Sequence, residues 1–331
     1  MEDLSSLNSF GLHVNARNVV RIHNLGDLRS APSDHALILG RGSDILLTDD
    51  FDGNVLVNCI TDTKIEEEND YFKIRCGGGR ELDSLISELV SRSISGLENL
   101  SAIPGTVGAA PVQNVGAYGV EIGDFISSVD YFDLDRREFG SLSSQDCHFG
   151  YRTSFFKEHP EHRLFITEVE FHLEKGFHPR LSYKGLVDPS LDSPYKIRER
   201  VIKLRREKLP DPAVIGNAGS FFKNPVVSED MAARIQRSYP DVPMYPLENG
   251  RVKLAAGWLI DRAGCRGITH GNAGTWEKQA LVIVNRGNAK PHEIVALAKY
   301  VQTEVFRHFG IRLEPEVRIY GRKGEITWDQ I

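Results

Sequence analysis

A strand pattern, Tyr71-Phe72-Lys73-Ile74-Arg75-Cys76, runs into Gly77-Gly78-Gly79 and then into a helical pattern carrying Leu82, Leu85, Ile86, Leu89 and Val90. The side-chain period changes from two to 3.6 within a few residues, so this part of the chain must combine sheet and helix. With no Cβ at three successive positions, the crossover backbone can lie against other backbone or a ligand. Two more glycine turns, Gly40 to Ser43 and Pro104 to Gly108, stand beside strands in the same half of the chain. Consecutive N–H groups in such turns form concavities that hold phosphate oxygens. Taken singly, each turn reads better as a hairpin connection; the three together, with the small-residue loop from Leu100 to Gly123, bring a dinucleotide site level with that reading. Gly40-Arg41-Gly42 lacks a third glycine at dinucleotide-fingerprint spacing and is followed by the strand pattern Ile45-Leu46-Leu47, which disfavours a nicotinamide-binding βαβ unit.

A chain of 331 residues exceeds a single-core domain, so two or three domains are expected. The net charge of −6 supplies no field for a nucleic-acid backbone and no polybasic arm for a membrane. An anionic ligand must therefore be met by local cations and backbone amides. Cys59, Cys76, Cys147 and Cys265 are widely spaced, arguing against a zinc site or disulfide framework. Met1-Glu2-Asp3 is acidic where a secretory signal is basic, and no apolar run reaches the ~18 residues of a membrane span. A cytoplasmic protein is expected.

From Leu100 to Gly123 the residues are small and turn-forming, a bland loop long enough to line a ligand site. Phe165, Val169, Phe171 and Leu173 alternate with polar residues as a strand buried on one face. A basic helix over Tyr195 to Lys208 is stopped by Pro210-Asp211-Pro212, where the main domain boundary is placed. Beyond it come a helix opened by Ser228-Glu229-Asp230, a helix over Leu254 to Ala263, a strand over Leu281 to Val284, a long helix from Pro291 to Gly310, and a last strand over Glu316 to Tyr320. On that last strand Glu314 and Glu316 would share a face.

Gly216-Asn217-Ala218-Gly219-Ser220-Phe221-Phe222-Lys223-Asn224-Pro225 sets one hydroxyl between permissive backbone and two apolar anchors. A serine so held can give a proton to a substrate, cap a helix or fill a turn. Together with Leu39 to Asp44, Ile103 to Ala110, Tyr151-Arg152, Lys208 to Pro212 and Glu314 to Arg318, this run resembles, in the same order over nearly the whole chain, the UDP-N-acetylenolpyruvoylglucosamine reductase family.

The resemblance implies an α+β flavoenzyme with an FAD-binding fold of the vanillyl-alcohol oxidase type in two subdomains, residues 1–60 and 61–208. It further implies a smaller α+β substrate-binding domain, residues 209–310, and a segment 311–331 returning to the active-site region. NADPH would reduce FAD, and hydride would pass to the enolpyruvyl group of a UDP-sugar, giving UDP-N-acetylmuramate for peptidoglycan synthesis and hence for cell shape and division. By the same resemblance Ser220 is the proton donor, with Arg152 and Glu316 at the substrate carboxylate. Arginine suits that place because its fixed charge meets a carboxylate through two parallel hydrogen bonds. Glu316 would have to be protonated or paired with a cation, since a bare carboxylate repels a developing enolate.

The implied flavin contacts are Gly40, Arg41, Gly42, Ser43, Asp44, Pro104, Gly105, Thr106, Gly108, Ala109, Asn114, Gly116, Ala117, Tyr118 and Arg205. Arg205 could alternatively pair with Glu199 or Glu207. The chain departs from the family pattern at Arg41, where a small residue is usual, and at Asp44, where asparagine is common. Lys208, Asn224, Tyr245, Lys253 and Tyr183 are implied for the sugar nucleotide, Tyr183 marking the branch with a tyrosine loop; each could equally be a solvated surface residue. No metal is expected, and the molecule is expected to be a monomer. Two other readings are an FAD-dependent oxidase or dehydrogenase of a small alcohol or sugar, and a flavin- or UDP-sugar-binding regulator without turnover.

Overall fold

Residues 1–247 and 250–331 are described by the computed structural model, and they fall into two units: Ala16–Gly42 with Gly53–Arg206, and Met1–Asn15 with Ser43–Asp52 and Glu207–Ile331.

In the unit built around Gly53–Arg206, the alternating segments pair into a five-stranded antiparallel sheet in the order Glu138–Ser143, Ile126–Asp133, Leu164–Glu174, Tyr71–Gly77, Thr63–Glu67. Val129, Val169 and Cys76 share its inner face, and the helix Leu82–Ser91 lays Leu82, Leu85, Ile86, Leu89 and Val90 against it. All five side chains are buried, as the 3.6 period requires. Ala36–Leu39 runs parallel to Phe51–Asn58, and Ile22, Leu56, Phe132 and Phe165 form a second core. A third, small cluster joins Leu186 and Leu191 to Ile197 and Val201 of the helix Pro194–Lys208.

Asp83, in the first turn of Leu82–Ser91, accepts hydrogen bonds from Arg198 Nη2 at 2.9 Å and from the Ala102 amide at 2.6 Å. Burial pushes its pKa up, but the guanidinium and the amide pull harder and leave it below the ordinary 3.8. A carboxylate whose folded pKa is depressed stabilises the fold fully above its unfolded value, and that stability is lost as pH falls through the lower folded value. Asp83→Asn is therefore expected to lower the urea midpoint at neutral pH and to flatten its decline below about pH 4. An unchanged acid-side slope would contradict this role.

In the other unit, Asn217–Ser220, Val282–Asn285, Ala273–Thr275 and Thr269–His270 form one antiparallel sheet. Val226–Ser228, Arg251–Leu254 and Met244–Pro246 form another. Ile45–Leu47 pairs in parallel with Arg318–Gly321. The helices Glu229–Ser238, Ala256–Arg262 and Pro291–Phe309 close one core that includes Phe221, Phe222, Leu259, Ile294 and Val301. Ser228 caps the first of these helices through the Met231 amide, and Gly310 ends the last in the left-handed region.

Three local expectations change. The last strand begins at Arg318 rather than Glu316, because Pro315 bridges Phe222 and the Glu316 amide bonds the Phe221 carbonyl at 2.8 Å; Glu314 and Glu316 do not alternate on that strand. The helix expected from Leu254 starts at Ala256, since Leu254 completes a strand. The stretch read as a bland loop is organised by 3-10 turns at Pro111–Gln113 and Ile122–Asp124 and by a small hairpin pairing Gly116 with Glu121.

Candidate active site

The three glycine turns expected to cradle phosphate meet within one unit. A Cβ on Gly40 would stand 2.4 Å from Thr106 Oγ1, one on Gly78 2.4 Å from the Ile166 carbonyl oxygen, and one on Gly108 2.9 Å from Gly78 Cα. Only glycine tolerates backbone at that separation. The Gly108 amide donates to the Gly78 carbonyl and the Val107 amide to the Arg80 carbonyl, both at 2.8 Å, which fastens Pro104 to Gly108 onto the three-glycine crossover. Thr106 is 3% exposed, and its hydroxyl has no hydrogen-bond partner among the described residues. Leaving a buried hydroxyl unsatisfied is costly, so a ligand oxygen at this cradle would complete it. These residues fit a cofactor diphosphate.

From this cradle the chain leads into a second cluster. Asn114, left-handed at φ 47°, donates to the Gly150 carbonyl and to Glu121, and accepts from the Gly123 amide, tying the turn at Gly150 to the small hairpin. Arg152, at φ 56°, sits on that turn and donates through Nη2 to the Gly116 carbonyl at 2.6 Å. Tyr118 is also left-handed, at φ 52°, and its ring meets that of Tyr183 edge-on at 5.0 Å between centroids. Arg205 donates to the Ala102 carbonyl at 3.2 Å and lies near enough to the Tyr118 phenol for the two to interact electrostatically, rather than pairing with Glu199 or Glu207. Burial lowers its pKa against the opposing pull of Tyr118 and Asp83, and burial likewise raises that of the Tyr118 phenol. Asn114, Gly116, Ala117, Tyr118, Arg152, Tyr183 and Arg205 thus come together. Three of the non-glycine residues in left-handed conformation, Asn114, Tyr118 and Arg152, fall in this cluster, each costing of order 1–3 kcal/mol.

In the other unit, Ser220 ends the strand Asn217–Ser220 opposite Val282, after an irregularity at which Gly219 takes φ 71°. The Gly219 amide donates to Asn217 Oδ1 at 2.9 Å, and a Cβ on Gly216 would fall 2.1 Å from the Phe10 carbonyl oxygen. Phe221 and Phe222 are buried behind the serine. The Glu316 amide reaches the Phe221 carbonyl, and the Lys223 amide the Glu314 carbonyl at 2.9 Å, so Glu316 and Ser220 flank one stretch of paired backbone. Ser220 Oγ is committed to no hydrogen bond among the described residues. Tyr245 and Lys253 stand directly opposite one another, and Lys253 also faces Val226, just beyond Asn224. Asn224 Oδ1 accepts from the Ala256 amide. Lys208 is exposed at the end of its helix.

Asp44 accepts the Arg318 amide at 3.1 Å through its carbonyl, and Arg318 holds Glu325 through Nε at 2.9 Å. Burial works against the Arg318 charge, yet Tyr320, Glu325 and Asp44 together raise its pKa. The Arg318 guanidinium is held by Glu325 and also feels the Asp44 carboxylate, which favours its charged form. Its signal was present in the sequence as the arginine two residues beyond Glu316. Glu81 and Asn99 carried none; Asn99 anchors the Tyr118 carbonyl at 3.0 Å.

Residues 24–135 match an FAD binding domain, and residues 211–320 match the C-terminal domain of UDP-N-acetylenolpyruvoylglucosamine reductase. The chain is 42% identical to the UDP-N-acetylenolpyruvoylglucosamine reductase of Pectobacterium atrosepticum, covering 98% of this chain and 96% of that one. It is 40% identical to that of Escherichia coli, covering 98% and 97%. The chain belongs to the UDP-N-acetylenolpyruvoylglucosamine reductase family. Its fold follows the reductase of Thermus caldophilus, with a TM-score of 0.68, 23% identity and 96% of each chain covered. The glycine cradle lies within the segment matching the FAD binding domain, while Ser220, Asn224 and Glu316 lie within the segment matching the reductase C-terminal domain.

Proposed function

We propose that the protein reduces UDP-N-acetylglucosamine enolpyruvate to UDP-N-acetylmuramate, with FAD as cofactor and NADPH as reductant. The observation that carries this is the full-length relationship to reductases of that name, joined to a glycine cradle with an unsatisfied buried hydroxyl at Thr106. FAD, when bound and reduced, supplies a hydride to the terminal carbon of the enolpyruvyl double bond.

The protein's own residues do the rest. Arg152 meets the substrate carboxylate through its fixed charge, and its left-handed backbone and its bond to Gly116 hold the guanidinium in place. Ser220 gives its hydroxyl proton to the neighbouring carbon, completing the addition of two hydrogens across the double bond. Glu316 orients the carboxylate side of the site. Asn224, Tyr245 and Lys253, gathered around one three-stranded sheet, and Lys208 contact the sugar nucleotide, with Tyr183 over it. Gly40, Arg41, Gly42, Ser43, Asp44, Pro104, Gly105, Thr106, Gly108, Ala109, Asn114, Gly116, Ala117, Tyr118 and Arg205 contact the flavin. Ala16–Gly42 with Gly53–Arg206 is taken as the flavin-binding unit, and Glu207–Ile331, joined by Met1–Asn15 and Ser43–Asp52, as the substrate-binding unit, in place of the division at 60, 208 and 310 expected from the sequence. The protein is read as a cytoplasmic monomer serving cell-wall synthesis and division. No helix of the described residues is long and apolar enough to cross a membrane.

Anaerobic addition of NADPH is expected to bleach the flavin band, and UDP-N-acetylglucosamine enolpyruvate to restore it with a product two hydrogens heavier. Bleaching by a small alcohol, with no response to the UDP-sugar, would contradict the assignment and indicate an oxidase.

A further inference from the structure

We propose that Arg41 is a phosphate-binding residue held in reserve by Glu81, and that a cofactor diphosphate takes the guanidinium from that carboxylate when it enters the cradle; this rests on the FAD reading above. Arg41 occupies the middle of the first glycine turn, at a position where a small residue would suffice for the turn itself. Its Nη1 contacts Glu81 Oε1, and the two side chains are 60% and 51% exposed. An ion pair as solvated as this contributes little to stability, so exchanging its partner costs little.

The location makes the exchange specific. Gly40 lies against Thr106 Oγ1, and Glu81 forms an isolated antiparallel bridge with Thr106 through its backbone. Arg41 and Glu81 therefore flank the one buried hydroxyl of the cradle that has no partner. Glu81 also occupies the cap position of the helix Leu82–Ser91 in extended conformation, yet its carboxylate does not cap the helix; the side chain is turned to Arg41 instead. An acidic side chain beside a diphosphate is repulsive unless it is neutralised. An arginine offered a diphosphate gains parallel charge-assisted hydrogen bonds that one carboxylate oxygen does not provide.

A static strut between the glycine turn and the helix would leave the same ion pair in place, but it predicts the opposite response to loss of Glu81. If the guanidinium exchanges partners, Glu81→Gln frees it and removes a like charge from the bound state. FAD should then bind roughly threefold to tenfold more tightly. Arg41→Gln should weaken FAD binding about tenfold and reduce the dependence of the dissociation constant on NaCl.

The test is dilution of the flavin-loaded full chain at several NaCl concentrations, with recovery of free FAD fluorescence read as the dissociation constant. The same titrations follow for Glu81→Gln and Arg41→Gln, with far-ultraviolet circular dichroism verifying that each variant is folded. Tightening by Glu81→Gln together with weakening and a shallower salt response in Arg41→Gln supports the exchange. Weakening by both, or no change in Arg41→Gln, overturns it while leaving the FAD assignment intact. A wild-type chain that holds no FAD overturns the assignment and the exchange together. A variant that fails to fold is replaced by Arg41→Lys, which should retain the salt response but lose part of the affinity; retention of full affinity counts against the bidentate contact.

Discussion

Ser220→Ala is expected to retain FAD and to be bleached by NADPH at the wild-type rate, yet to recover its flavin band about 10²- to 10⁴-fold more slowly when the enolpyruvyl substrate is added. Such a loss corresponds to a barrier higher by roughly 3–5 kcal/mol. The effect should be chemical rather than structural. Ser220 Oγ makes no hydrogen bond among the described residues, while its position is fixed by pairing with Val282 and by the buried Phe221 and Phe222. Removing the oxygen therefore leaves the strand and its anchors in place. Stopped-flow absorbance separates the two half-reactions, and a wild-type rate of recovery in the variant would remove Ser220 from proton transfer.

Gly78→Ala should strike the cofactor rather than the chemistry. The new methyl would lie 2.4 Å from the Ile166 carbonyl oxygen and 2.6 Å from Asn58 Nδ2. The nearer of these is backbone in the central Leu164–Glu174 strand, so no side-chain rotation relieves it. Asn58 Nδ2 itself donates to that carbonyl at 2.7 Å, a bond the methyl would also disrupt. Overpacking of this kind typically costs about 1–3 kcal/mol, equivalent to a midpoint lowered by roughly 2–10 °C for a unit of this size. Because Gly108 rests on Gly78, displacement should spread to Thr106 and weaken FAD binding beyond the loss of stability. Thermal melts with and without added FAD check both parts; a variant with wild-type melting and flavin content would show that the crossover can relax.

Much of this was legible in the sequence because the signals are local. The period-two and period-3.6 patterns around Gly77-Gly78-Gly79 led directly to a strand and a helix whose five apolar positions are all buried. Gly216 to Pro225 announced a serine on permissive backbone with apolar anchors behind it, and Gly219, Phe221 and Phe222 occupy those roles. What remained hidden depends on separation along the chain. Nothing near Glu316 predicts that its amide is taken by Phe221, which moves the start of the last strand to Arg318. Nothing near Arg205 reveals Ala102 and Tyr118, so its expected helical neighbours Glu199 and Glu207 were the natural alternative. The left-handed backbones of Asn114, Tyr118 and Arg152 were equally invisible, because each residue is tied to partners set by the fold: Asn114 to Glu121, Gly150 and Gly123, the Tyr118 carbonyl to Asn99, and Arg152 to Gly116.

The most direct measurement is a crystal structure of the FAD-loaded protein with the enolpyruvyl substrate bound. The expected result is Ser220 Oγ within about 3.5 Å of the carbon that receives the proton, with Arg152 and Glu316 at the adjoining carboxylate. A substrate bound with its double bond remote from the Ser220 hydroxyl and from the Arg152 guanidinium would contradict the mechanism.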